Sequence, residues 1–174
     1  MRKNFGFTLI ELMIIVAILS ILAAIGIPNY LSWLPDMRLK AAVRDLKSDM
    51  ELAKLEAIRR NAHVALVFNI GTNSYQVFAD DGTGGGVADN WVRDGSEALL
   101  RQVTLPDEVT MYKASFAAGL ARCRFDGRGL PNGLGGHVYM FNAKNNYRGI
   151  TLSLVGAVQI KNSTDAGATW NDAS

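Results

Sequence analysis

From residue 7 to residue 27 only Thr8, Glu11 and Ser20 are polar, and the stretch contains no Lys or Arg. At 1.5 Å per residue such a helix is roughly 31 Å long, about the thickness of a bilayer core. A different period follows. Leu39, Val43, Leu46, Met50, Ala53 and Ala57 recur at alternating spacings of four and three. That pattern predicts an amphipathic helix over about residues 36–61, with one apolar stripe that must be buried. Pro35 marks a weak point just ahead of it. Asp36 with Lys40 and Glu56 with Arg60 are i,i+4 pairs on the other faces. Arg59-Arg60-Asn61 puts cations and a C-cap residue at the end, and reads as a solvated helix terminus.

Beyond Asn61 the character changes, since 15 of the 17 glycines lie at or after Gly71. Strand-like runs are expected at residues 62–69, 75–79, 98–104, 109–112, 122–125, 137–141, 149–154 and 157–161, with a hairpin turn over 70–74. A helix whose stripe needs cover, followed by such strands, predicts an α+β fold with an antiparallel sheet. Strand order does not follow from the pattern. Residues 164–174 hold only Trp170 as a large apolar side chain and read as a flexible tail.

Composition narrows the function classes. The chain has 174 residues, with 18 basic against 16 acidic side chains, so no global charge draws it to nucleic acid. The 49% hydrophobic content suffices for a core and excludes disorder. A single cysteine, Cys123, excludes an intramolecular disulfide and a cysteine zinc cage.

Three readings compete for the apolar start. A cleaved secretory signal has a small-residue site at Ala24-Ile25-Gly26, but the run is long and lacks a polar region before it. A plain single-span anchor explains length, and Arg2 and Lys3 set the N-terminus in the cytoplasm by the positive-inside rule. It leaves Glu11 unexplained, because a carboxylate inside a span costs about 2.5–3.5 kcal/mol and is by default paired and functional. The third reading rests on Gly6-Phe7-Thr8-Leu9-Ile10-Glu11-Leu12 and the later Gly26-Ile27-Pro28-Asn29-Tyr30. This sequence resembles the class III signal of type IV pilins and type II secretion pseudopilins.

That resemblance implies a six-residue leader, cleavage between Gly6 and Phe7 by a membrane prepilin peptidase, and N-methylation of Phe7 by the same enzyme. It implies residues 7–27 as membrane anchor and later as filament core. Residues 28–61 then continue the helix, and residues 62–163 form a periplasmic domain. Leader removal takes the basic count from 18 to 16 and frees an α-amino group. The family's proposed partner for a buried Glu11 carboxylate is the Phe7 amine of a neighbouring subunit, an attraction that is strong in low dielectric. Gly26 and Pro28 weaken the helix where family members bend or melt. The implied partners are the peptidase, other major and minor pilins or pseudopilins, an inner-membrane assembly platform and, before assembly, the lipid bilayer.

Further residues carry a second resemblance. They are residues 53–61, Tyr75-Gln76-Val77-Phe78-Ala79-Asp80-Asp81-Gly82, Glu97-Ala98-Leu99-Leu100, Phe125-Asp126-Gly127-Arg128-Gly129 and residues 148–156. Together they are similar to the family of type II secretion minor pseudopilin H and fimbrial biogenesis protein T, minor subunits that prime or tip a filament. Some fimbrial T proteins serve DNA uptake. Arg122 and Arg124 are expected on one strand face with Arg128 close behind, a small patch able to grip phosphates. DNA-binding members carry a G-R-x-R motif after the last serine, where this chain has Gly156-Ala157-Val158-Gln159.

No enzyme constellation is present: there is no G-x-S-x-G, no G-x-x-x-x-G-K-[ST] and no H-E-x-x-H. His63 and His137 are expected in strands, and Cys123 as a buried thiol. Asp80, Asp81 and Asp89 in a glycine-rich loop offer oxygen ligands for calcium, but the EF-hand spacing is absent, so the loop reads as a flexible hairpin connection and no cofactor is expected. The expectation is a non-enzymatic minor pilin or pseudopilin. The alternatives are a DNA-receptor pilin and an ordinary anchored periplasmic domain.

Overall fold

The computed structural model describes residues 7–133 and 135–173. The leader, with Gly6, lies outside the described residues. The chain divides into two compact units, Met1–Leu34 and Pro35–Ser174.

Helix α1 (Leu9–Arg60) contributes to both units, and helical geometry is assigned through Pro28 and Pro35 without interruption. Proline removes one amide donor and crowds the preceding turn, at a cost of about 3 kcal/mol. Neither proline ends the helix.

In the second unit Leu39, Val43, Leu46, Met50, Ala53 and Ala57 are all buried, so the stripe read from the sequence is the helix face that packs. At the helix end Glu56 accepts from both Arg59 (2.7 Å) and Arg60 (3.1 Å). Asp36 departs from expectation. Instead of pairing with Lys40 it accepts from the side-chain amides of Asn142 (2.6 Å) and Asn146 (2.5 Å), because the turn that carries them meets the middle of the helix. The Asn146 bond, with that of Asn142, holds the Asp36 carboxyl below the usual range despite partial burial.

Among the described residues nine strands follow: β1 (Val64–Asn69), β2 (Ser74–Ala79), β3 (Leu99–Thr104), β4 (Val109–Ser115), β5 (Arg122–Phe125), β6 (Gly136–Asn142), β7 (Tyr147–Leu152), β8 (Val158–Ser163) and β9 (Asn171–Asp172). They form two antiparallel sheets, ordered β3-β2-β1-β5 and β4-β6-β7-β8-β9. The fold is α+β, and the inner faces of both sheets join the helix stripe in one core with Phe68, Val77, Met111, Phe125, Met140 and Ile150. Each such side chain gains about 1.5–3 kcal/mol from burial.

The tail differs from the reading as a frayed end. Trp170 stacks on Tyr139 at 3.8 Å between ring centroids, and β9 pairs with β8. Asp165 organises the intervening turn by accepting from Ser163 Oγ (2.6 Å) and from the Thr169 amide (2.8 Å). His63 stands just before β1 rather than within a strand, where its Nδ1 meets Asp89. His137 lies in β6 and stacks on Tyr139 at 4.3 Å.

Candidate functional site

In the first unit, residues 7–33 are all exposed, among them Phe7, Leu9, Ile10, Leu12, Ile25 and Trp33. Such an apolar surface is stable only against lipid or other protein. The helix is long and apolar enough to cross a membrane. Its start is capped from within: the Glu11 amide donates to Thr8 Oγ1 at 3.3 Å, and the Leu12 amide to the Thr8 carbonyl at 3.2 Å. Thr8 and Glu11 therefore stand at N-cap and N3, the spacing of a capping box. An acid in the first turn also complements the helix dipole. Ser20 spends its hydroxyl on the Val16 carbonyl at 2.8 Å, so this polar group is satisfied within the helix. Nothing stands within 4 Å of a Cβ placed on Gly26, so this glycine is not required by packing within the unit.

A second cluster surrounds the loop from β2 to β3 in the other unit. Far from being loose, the loop is tied by three acids. Asp80, 1% exposed, accepts the amides of Asn90 and Trp91, both at 3.2 Å. Glu97, 2% exposed, accepts those of Gly82 (2.8 Å) and Asp94 (3.1 Å). Asp94 accepts the Val87 amide (3.0 Å) and the Asn90 side chain (2.8 Å). These bonds fix Trp91 at a φ of 66°, a left-handed conformation uncommon for a bulky residue.

Trp91 meets β5. Arg122 and Arg124 share one strand face, two residues apart, and their guanidinium carbons lie 4.7 and 4.5 Å from the Trp91 ring centroid. Arg124 pairs with Asp89 (3.2 Å) and Asp80 (3.5 Å). Arg128 does not join them; it turns back onto Asp126 at 2.8 Å. Of the basic patch expected from three arginines, Arg124 is thus matched by acids distant in sequence and Arg128 by an acid two residues before it. The calcium reading meets the same arithmetic: Asp80 and Asp89 hold Arg124, and Asp81 accepts from the Thr83 amide at 3.1 Å. Among the described residues no group of acids, histidines or cysteines is arranged to hold a metal. Cys123 is buried, and burial pushes its thiol well above the ordinary range. From the sequence alone Trp91 has no role, and Glu97 stands only within the segment that carries a family resemblance. A tryptophan in an otherwise small and polar loop was the available signal for the first.

Comparison with known proteins bears on both units. The family model of type II transport protein GspH matches residues 42–156, and that of the prokaryotic N-terminal methylation motif matches residues 1–27. Pilin-like protein PilA1 of Thermus thermophilus is 43% identical over 77 residues, 43% of this chain and 47% of that protein. A fimbrial protein of Pseudomonas aeruginosa is 49% identical over 59 residues, 32% of this chain and 38% of that protein. The chain thus spans less than half the length of these curated relatives. In fold it is similar to minor pseudopilin EpsH from the type 2 secretion system of Vibrio cholerae, with a TM-score of 0.56, 12% identity, and coverage of 74% of this chain and 99% of that one. It is likewise similar to type IV minor pilin FimU of Pseudomonas aeruginosa, with a TM-score of 0.53, 16% identity, and coverage of 75% and 93%. With two thirds of its length matched by the GspH model and its start by the methylation motif, the chain belongs to the GspH family, as a minor pseudopilin-like member of the type IV pilin and pseudopilin superfamily.

Proposed function

We propose that the chain is inserted in the bacterial inner membrane with residues 1–6 in the cytoplasm, cut between Gly6 and Phe7 by a prepilin peptidase, and methylated at Phe7. An assembly platform then draws it into a pilus or pseudopilus, as a minor subunit that primes or tips the filament for secretion or pilus biogenesis. Its role is structural rather than catalytic. Residues 7–27 exchange lipid for the helices of neighbouring pilins, Glu11 sets register through a neighbour's Phe7 amine, and Gly26 and Pro28 give the segment latitude to bend. The domain from residue 62 faces the periplasm.

The observation that carries this reading is the fully exposed apolar run of residues 7–33, interrupted near its start by one acid. An exposed surface of that kind needs a partner phase, and a charge within it needs a counter-charge when water is excluded. Replacing Glu11 by Ala in the native host tests the reading. Intact mass should show the leader removed and a methyl added, while the amount of subunit recovered in sheared filaments falls at least tenfold. Undiminished incorporation would refute the register role, and a retained leader on the native chain would refute the processing.

A further inference from the structure

A cavity of about 190 Å³ lies beside Trp91, with Phe116, Ala118, Leu120 and Pro131 on its apolar side and Arg122 on its polar side. The two arginines of β5 differ in state. Arg124, with a side chain 13% exposed, is matched by Asp80 and Asp89. Arg122 makes no ion pair among the described residues, and its Nε is buried without a hydrogen-bond partner. A buried guanidinium N–H left unpaired is costly, and its natural complement is a carboxylate that completes the fork. The Trp91 ring braces the guanidinium plane, which reduces the freedom lost when the fork is occupied.

We propose that this cavity is a docking site for a segment of a partner protein in which a carboxylate stands next to an aliphatic side chain. Arg122 receives the carboxylate, and the wall of Phe116, Leu120 and Pro131 receives the aliphatic group. The local charge selects this ligand over nucleic acid. Asp80 and Asp89 are taken up by Arg124, so Arg122 is the one guanidinium here left to receive a single carboxylate, whereas a run of phosphates would meet the half-exposed Asp89. The apolar wall, moreover, offers nothing to a phosphate chain.

The test uses the full chain in mild detergent, titrated calorimetrically with a blocked pentapeptide that has a central glutamate between two leucines. Its glutamine counterpart and a 12-nucleotide single-stranded DNA serve as the other probes. The glutamate peptide should bind, and the glutamine peptide should bind at least tenfold more weakly. This contrast uses the native chain and needs no variant to fold. Arg122→Gln should weaken the glutamate peptide at least tenfold, and Arg128→Gln should leave it unchanged. Absence of peptide binding, equal binding of the two peptides, or equal losses in the two variants would overturn the proposal. Tighter, Arg122-dependent binding of the DNA would overturn it in favour of a nucleic-acid site. Because the probes are free peptides, the outcome does not depend on whether the chain enters a filament.

Discussion

The Tyr75 hydroxyl donates to the Asp49 carboxylate at 2.8 Å, tying β2 to the buried side of α1. Both residues are enclosed, with Tyr75 1% and Asp49 7% exposed, and Arg101 approaches the other carboxylate oxygen at 3.4 Å. Burial, then the bond to Asp49, pushes the Tyr75 hydroxyl well above its ordinary range, so it stays a donor at all physiological pH. Tyr75→Phe removes the donor while keeping the ring, and should cost about 1–3 kcal/mol by leaving a buried acceptor short of one partner. Denaturant unfolding of the full chain in mild detergent measures this.

The helix stripe is the next lever. Met50 is completely buried in the core, and Met50→Ala should lower stability by about 2–5 kcal/mol, more than the same truncation at exposed Met37. The same unfolding measurement compares the two.

Asn73 joins a hairpin to the second sheet. At a φ of 53° it donates to the Val109 carbonyl at 2.5 Å and accepts from the Met111 amide at 2.8 Å. Asn73→Gly keeps the left-handed turn and loses the two bonds, whereas Asn73→Ala loses the bonds and strains the turn. The alanine variant should therefore unfold at a lower denaturant concentration than the glycine variant, and both below the native chain.

The tail responds to acid. Hydrogen bonds from Ser163, then Thr169, hold Asp165 down at about 2, against 3.8 ordinarily. A depressed carboxyl favours the folded turn above its unfolded value, and that support is lost as the pH falls from about 4 towards 2. The near-ultraviolet dichroism of the Trp170–Tyr139 stack should persist at pH 5 and fade through that window. Asp165→Asn should already show the weakened signal at neutral pH.

Cys123 supplies a kinetic check. A buried thiol with a raised pKa presents little thiolate, so a disulfide reagent should react with the native chain at least about tenfold more slowly than with the denatured one.

Much of this architecture is legible without coordinates because it rests on periodicity. The six stripe residues from Leu39 to Ala57 and the alternation of Val64, Leu66 and Phe68 are local patterns with one burial solution. What escaped reading depends on distant partners. Asp36 has a lysine four residues on, and only the packed structure brings Asn142 and Asn146 within reach. The acids that neutralise Arg124 lie 35 and 44 positions earlier, so composition around the arginines overstated their free charge. Trp170 stood alone in a polar tail, and its stacking partner belongs to β6.

The two-residue β9 has a wider consequence. Without it, β8 would present an uncovered row of amides and carbonyls, a template on which any spare strand could accrete. The short cover pairs Lys161 and Asn162 and, with Asp172 joined to Lys161 at 2.5 Å, puts charge on that end of the edge. A molecule bearing an exposed greasy rod thereby offers a stray strand less purchase at a second place.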